Sequence, residues 1–296
     1  MKIYDCFQFF DENMMLDLRL NILNEFVHKF VIVENAFMHS GTAKDPVFDI
    51  KNFSKFEDKI IYILVDKLPQ GLHDTSVIKN IEEKGNRAID NTLMIEHAQR
   101  NTILKGLNDA TENDLIIISD VDEIPYLETN NFKKINKKLI YFKQKMFCYK
   151  FNLKMGSKPW CGSKACLKKN LILPQWLRDT KQRKYPLWRL DILFSKTKYN
   201  SIHYVENGGW HFVNIKSPED IERKLKNFGH NWEFNQSGLN LNDIKNMVSN
   251  HRAVYDYHAD MKTYKWSGKG KLNKCELSEL PEYLVENQKI YTDWLV

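Results

Sequence analysis

Leu115-Ile116-Ile117-Ile118-Ser119-Asp120-Val121-Asp122-Glu123-Ile124-Pro125 decides how the rest of the chain is read. Four consecutive aliphatic residues run straight into two aspartates spaced i, i+2. The apolar run reads as a strand buried on both faces, as in a parallel sheet covered by helices. On extended backbone, residues i and i+2 point to one side, so Asp120 and Asp122 would present two carboxylates together at the strand's C-terminal end. That end of an open α/β sheet is where ligands bind. Two like charges held so close are costly without a cation beside them. Hard oxygen ligands suit Mg²⁺ or Mn²⁺, which usually also takes substrate phosphates. The pattern points to a metal–diphosphate site. Its plainer alternative is a solvated turn or a helix cap, because Asp-x-Asp is common on surfaces.

Working outward, Asp17–Val27 carries apolar residues at helical spacing, Phe30-Val31-Ile32-Val33 reads as a short buried strand, and Ile60–Val65 as a second strand. Residues 66–90 are polar and loop-like. Thr92–Leu107 reads as a helix ending near Gly106 or Asn108. Helix alternates with strand through this half, which predicts an α/β fold with a parallel, doubly wound sheet. Beyond the motif, 138–151 reads as strands rich in Tyr and Phe. Residues 156–190, with Pro159, Pro174 and Pro186, read as loop, and Ile192–Phe194 and Ile202–Val205 as short strands. Ser217-Pro218-Glu219-Asp220 is a helix start, with Ser at the N-cap and Pro at the first helical position. Helical patterns return over 243–254 and 281–291.

Composition narrows the function. Hydrophobic residues make up 43% of the 296, enough for a substantial core. The net charge of +6 is too mild for a nucleic-acid binder. Arg178, Lys181, Arg183, Lys184 and Arg189 nevertheless cluster; such a group attracts an anionic nucleotide, an anionic glycan or a membrane surface, or forms a solvated loop. Seven Trp suit either core filling or sugar stacking. The five cysteines include no CxxC, and the spacing of Cys161 and Cys166 is poor for zinc, so free thiols in a reducing compartment are expected. There is neither a signal peptide at the start nor an 18-residue apolar run. The expected location is cytoplasmic, with peripheral membrane contact open. The chain has no GxGxxG, P-loop, HExxH or GxSxG, which argues against dehydrogenases, P-loop kinases, zincins and serine hydrolases.

Two further constellations bear on the motif. In Gly208-Gly209-Trp210-His211, paired glycines permit close backbone approach, and His211 could complete a metal shell or be a satisfied core histidine. Glu96 and Arg100 stand i, i+4, which suits an intrahelical ion pair; alternatively, Arg100 lends its guanidinium fork to a diphosphate. The cations of Lys224–His230 suit a helix C-terminus and could also meet phosphate.

Together these residues resemble glycosyltransferase family 17, the family of the bisecting N-acetylglucosaminyltransferase. The likeness begins with Tyr4-Asp5-Cys6-Phe7-Gln8-Phe9-Phe10 and Asp17-Leu18-Arg19-Leu20. It continues through Phe30–Glu34, Gln99-Arg100-Asn101 and Ser119–Pro125, and closes with Gly208–His211 and the Lys224…Phe228…His230 spacing. The Asp-Val-Asp-Glu-Ile-Pro and Gly-Gly-Trp-His strings are its specific parts. The resemblance implies a GT-A-like fold, a Rossmann-like mixed sheet flanked by helices. A single catalytic domain over 1–296 would comprise a nucleotide-sugar half (1–125), an acceptor half (126–215) and a helical C-terminal part (216–296). It also implies a UDP-sugar donor, UDP-GlcNAc above all, with Mn²⁺ or Mg²⁺ and inversion at the anomeric carbon. The animal enzymes carry an N-terminal anchor that is missing here. The resemblance therefore suggests a bacterial or viral relative acting on a glycan or glycolipid acceptor in surface-glycan synthesis.

In that scheme Asp122 and His211 hold the metal, and Asp120, Arg100, Glu34 and Arg189 are the donor-side residues. A carboxylate takes the proton from the acceptor hydroxyl. Glu206, ahead of the Gly-Gly pair, ranks first for this role, with Asp191 and Glu123 behind it; Glu123 would point away from Asp122 on a strictly extended strand. The competing readings are an NDP-sugar nucleotidyltransferase, which normally needs a Gly-rich basic loop absent near Val33, and a non-catalytic glycan-binding protein.

Overall fold

A computed structural model describes the chain except residues 129–130, 157, 184, 187, 228–230, 256–264, 267 and 269. Lys184 of the basic cluster and the Phe228…His230 end of the family spacing lie outside the described residues. Among the described residues two sheets form. The first comprises β1 (Ile3–Phe9), β2 (Lys29–Asn35), β3 (Ile60–Val65), β4 (Leu115–Asp120), β6 (Leu139–Phe142), β9 (Lys164–Leu167) and β10 (Ile202–Val205). Its order is β10-β6-β9-β4-β1-β2-β3. Strands β3, β2, β1 and β4 run parallel, and β9 is antiparallel to both β4 and β6. The second sheet comprises β5 (Glu123–Pro125), β7 (Lys145–Cys148), β8 (Leu153–Met155), β11 (Gly209–Val213), β12 (Arg252–Ala253) and β13 (Gly270–Lys274), ordered β12-β13-β8-β7-β11-β5. The fold is mixed α/β, with helices flanking two mixed sheets.

The aliphatic run of β4 is continuous because both of its faces are buried. Leu115 and Ile117 join the core shared with helix α1 (Asn13–Leu23), whereas Ile116 and Ile118 join Val31, Val33 and Leu107 on the other side. Helix α2 spans Ile81–Asn101 and passes into a 3₁₀ stretch over Thr102–Leu107. It starts within the region read as loop, because Asn80 caps it by accepting from the Glu83 amide. Three elements occupy the stretch expected to be loop between 156 and 190: β9, a 3₁₀ turn over Lys168–Asn170, and the helix α3 (Pro174–Asp179) with Pro at its first turn. Ile192–Phe194, read as a strand, lies instead in the helical turn α4 (Asp191–Phe194). The start at Ser217 holds: the Asp220 amide donates to Ser217 Oγ at 3.1 Å as α5 (Pro218–Asn227) begins. The C-terminal part adds α6 (Asn231–Ser237), α7 (Leu241–Ser249) and α8 (Glu282–Glu286), but also gives β12 and β13 to the second sheet. Strands β6, β9 and β10 return to the first sheet, so sheet membership does not follow the division at residue 125. The five cysteines are free thiols. Among the described residues no helix is long and apolar enough to cross a membrane.

Candidate active site

Strand β4 stops at Asp120, and Val121-Asp122 turn the chain into β5, the edge strand of the second sheet. The turn corrects the expectation of two parallel carboxylates. Asp120 faces α2 and α3, where it meets Arg100 Nη2 at 3.0 Å and Arg178 Nη2 at 2.8 Å. Asp122 instead faces β11 and α5, with Oδ1 3.6 Å from His211 Nε2 and Oδ2 3.9 Å from Lys224 Nζ. His211 arrives there because β11 pairs antiparallel with β5, His211 opposite Glu123. Gly209 makes that approach possible: its φ is +122°, and a Cβ there would lie 2.1 Å from the Ile124 carbonyl oxygen.

Glu123 does not point away, as a straight strand would require. The turn folds it back beneath Asp120, whose amide donates to Glu123 Oε2 at 2.9 Å. The carboxylate is buried and also accepts from Trp160 Nε1 at 2.7 Å and Arg178 Nη1 at 2.6 Å. Backbone packs against it so tightly that a Cβ on Gly162 would sit 1.8 Å from Glu123 Oε1. Glu123 is thus the post to which Arg178 is tied, and Arg178 in turn spans Glu123 and Asp120.

These charges set the ionisation of the site. Burial opposes the charge on Asp120, but Arg178 and Arg100 overcome it and hold the carboxyl well below the usual range. Asp122 goes the other way: burial raises its pKa, the charges of Asp120 and Glu123 add to the rise, and His211 and Lys224 only partly offset it. Lys224 is raised despite its burial, because Asp122 and Glu12 face it.

At the carboxyl ends of β1 and β2, Gln99 ties α2 to the sheet. It donates to the Val33 carbonyl at 2.9 Å and accepts from Gln8 Nε2 at 3.1 Å and Asn35 Nδ2 at 3.0 Å. Below Asp122 a cavity of about 360 Å³ opens, lined by Asp11, Glu12, Met14, Lys216 and Lys224 among others. Glu12 follows the end of β1 and lies 3.4 Å from Lys216 and 3.9 Å from Lys224. Burial opposes its ionisation, yet the two lysines bring its pKa down to about 2. Asp11 pairs with Lys216 and with Arg223 at 2.9 Å.

Sequence reasoning did not single out Glu12, Asp11, Lys216 or Gln99, and it saw Arg178 only as one of a cluster. The signal for Asp11 and Glu12 was present: they follow a buried aromatic strand and so lie on the same sheet edge as Asp120. The remaining expected residues lie apart from the turn. Glu34 is fully buried and saturated by Lys44 Nζ, the Val47 and Phe48 amides and Tyr62 Oη. Asp191 is held by Arg189 at 2.8 Å and Lys198 at 2.6 Å, so Arg189 is engaged as well. Glu206 is exposed and pairs with Lys143.

The residues fit a divalent ion with two protein ligands. Neighbouring ligands of an octahedral ion with ~2.1 Å bonds stand roughly 3 Å apart, close to the 3.6 Å between Asp122 and His211. Asp120 is taken by two guanidinium groups, and among the described residues no three His, Cys, Asp or Glu side chains converge as a closed cage. The remaining ligands would come from substrate phosphate and water.

The profile of glycosyltransferase family 17 matches residues 1–296, the whole chain. The chain belongs to glycosyltransferase family 17. It is therefore a transferase, and the family's specific strings are those that build the turn: Ser119–Pro125 forms it, and Gly208–His211 closes it from the partner strand. No curated protein matches the sequence significantly. Solved structures similar to this family 17 member include HddC from Yersinia pseudotuberculosis (12% identity, 75% of this chain and 97% of that one, TM-score 0.35). Glucosyl-3-phosphoglycerate synthase from Mycobacterium tuberculosis, in complex with Mn²⁺, UDP and phosphoglyceric acid, is another (9% identity, 96% and 91%, TM-score 0.32). Likeness at this level decides nothing about chemistry.

Proposed function

We propose that this family 17 enzyme transfers a sugar, GlcNAc from UDP-GlcNAc, to a hydroxyl of a glycan or glycolipid in surface-glycan synthesis. The reaction proceeds with inversion and uses Mn²⁺ or Mg²⁺. The observation that carries the reading is the divergence of the two aspartates. Asp122 and His211 stand together over a cavity, while Asp120 gathers two arginines on the other side of the same turn. The choice of UDP-GlcNAc rests on kinship with the bisecting enzymes.

Asp122 and His211 would hold the metal, which when bound would supply Lewis-acid neutralisation of charge on the leaving diphosphate. Arg100 and Arg178, whose guanidinium hydrogens go to Glu96, Gln175, Asp120 and Glu123, fix Asp120 and with it the turn that presents Asp122 beside the diphosphate. The cavity below Asp122 receives the acceptor. There Glu12 is the carboxylate placed to accept the proton of the attacking hydroxyl; Lys216 and Lys224 keep it ionised, and their pairing with it must loosen as the proton arrives. Glu12 replaces Glu206, Asp191 and Glu123 in this role because it lines the cavity below Asp122 and they do not.

The test is UDP release from a panel of UDP-sugars, with Mn²⁺ and then with EDTA. Slow release from UDP-GlcNAc that EDTA and Asp122→Asn both abolish is the expected result. If no donor is hydrolysed and UDP with Mn²⁺ leaves the melting temperature unmoved, the reading fails.

A further inference from the structure

The segment after α3 is built unlike the rest of the surface. Between residues 181 and 198 the sequence carries six cations and one anion, Asp191, whereas the whole chain is only +6. Nearly all of the net charge is therefore local. The same segment exposes large apolar side chains: Trp188 is 79% exposed, Leu190 69% and Phe194 88%. Among the described residues no other Trp or Phe is so exposed. In a folded soluble surface such side chains are costly to leave in water, and contiguous ones mark a contact site.

The described residues of the segment are tied at its two ends. The Lys181 amide donates to the Thr197 carbonyl at 2.8 Å, and Trp176 Nε1 of α3 donates to the Lys196 carbonyl. Inside it, Asp191 is neutralised by Arg189 and Lys198. Lys181, Arg183 and Lys196 have no ion pair among the described residues and remain exposed. The one acid is thus masked while three cations stay outward beside Trp, Leu and Phe. Aromatic and aliphatic side chains set among unpaired cations fit the boundary between anionic headgroups and acyl chains. A nucleic acid or an acidic protein would call for the cations but not for an exposed Leu and Phe.

We infer that the 181–198 loop docks the enzyme on an anionic lipid surface, inserting Trp188, Leu190 and Phe194 at headgroup depth. The 181–198 segment begins three residues after Arg178, which touches Asp120 and Glu123. Docking therefore brings the candidate site to the membrane, and the acceptor class becomes a lipid-linked glycan. That last step rests on the function proposed above; the docking itself does not.

The experiment is co-sedimentation of the full chain with vesicles of phosphatidylcholine alone or with about one-third phosphatidylglycerol. Binding to the anionic vesicles at least about tenfold stronger than to the neutral ones is expected. Trp188→Ser/Phe194→Ser should lose it while keeping the wild-type melting temperature and metal-dependent donor hydrolysis. Lys181→Glu/Arg183→Glu should weaken it and flatten its salt dependence. Absence of binding to anionic vesicles overturns the proposal, as does binding that the Trp188/Phe194 variant retains in full. Retention on RNA without retention on vesicles overturns it too. Because donor hydrolysis is read separately, failure of docking and failure of the glycosyltransferase chemistry are distinguishable.

Discussion

Two carboxylates that face one cavity, Asp122 and Glu12, are shifted in opposite directions from their ordinary values, and this fixes opposite signs for their removal. Asp122 has its pKa raised, so its charged form costs folding free energy at neutral pH. Asp122→Asn is expected to abolish transfer, roughly 100-fold or more, while raising the melting temperature at pH 7. The stability gain should vanish below the ordinary carboxyl value near 3.8, where both the folded and the unfolded chain bind the proton. Circular dichroism melts from pH 3 to 8 check it; a destabilised variant at pH 7 would contradict the raised value. Glu12 has its pKa lowered to about 2 from an ordinary 4.5. Its contribution is fully present above 4.5 and is lost as pH falls toward 2. Glu12→Gln should therefore cost about 3 kcal/mol at neutral pH, a tenfold step in equilibrium being about 1.4 kcal/mol, and the deficit should close in acid. It should also lose acceptor-dependent transfer while keeping affinity for UDP with Mn²⁺.

At the scale of elements, the site depends on β11 lying against β5 in one register, and Gly209 is the residue that permits it. A Cβ there would meet the backbone of Ile124, and the φ of +122° is strained for any L side chain. Gly209→Ala is expected to cost at least about 2 kcal/mol and to displace His211 two residues on. Urea unfolding midpoints together with metal-dependent UDP release check it; a stable variant with wild-type activity would mean that β11 can slide without moving the site. This register also marks how far sequence reading reaches. The strands β2 and β4 were legible because burial on both faces leaves unbroken aliphatic runs, and β3 keeps such a run although, as the edge strand, it is only half-buried. Strand β9 was not: Lys164 lies buried within it, tolerated only because its ammonium donates to the Arg178 and Thr180 carbonyls at 2.6 Å. Helix α3 was hidden because Pro174, read as loop punctuation, is also an ordinary first helical residue. Ile192–Phe194 has the apolar content of a strand but forms a single helical turn with Phe194 exposed. Asp122 and His211 could be singled out from sequence and do stand 3.6 Å apart, whereas the separation of Asp122 from Asp120 could not be read, because a two-residue turn reverses what an extended strand would do.

Across the whole molecule, the two sheets are joined covalently at Val121-Asp122, and opposite the Arg178 side a second guanidinium, fully buried, fastens that joint. Arg19 lies in the apolar face of α1 between Leu18 and Leu20, a position whose charge looks misplaced until its partners are seen. Its Nε and Nη2 grip Asp5 of β1 at 2.7 and 2.6 Å. Its Nη1 reaches the carbonyls of Asp120, Val121 and Glu123 at 3.1, 3.2 and 2.7 Å. One guanidinium thus binds the first strand, the first helix and the turn that carries both aspartates, and it stacks over Phe7 at 4.5 Å. Removing one partner of a fully buried pair leaves the other charge stranded, at a cost of roughly 3–5 kcal/mol. That is a large share of the roughly 5–15 kcal/mol that holds a typical domain. Arg19→Ala is therefore expected to lower the unfolding midpoint sharply and to lose transfer, since the turn would no longer be held from below. Asp5→Ala should be nearly as damaging. The double variant should lose clearly less than the sum of the two, because no unpaired charge remains. Additive losses in that cycle would show that Arg19 acts mainly through the three carbonyls of the turn. The site would then owe its shape to the turn's backbone hydrogen bonds more than to the ion pair beneath it.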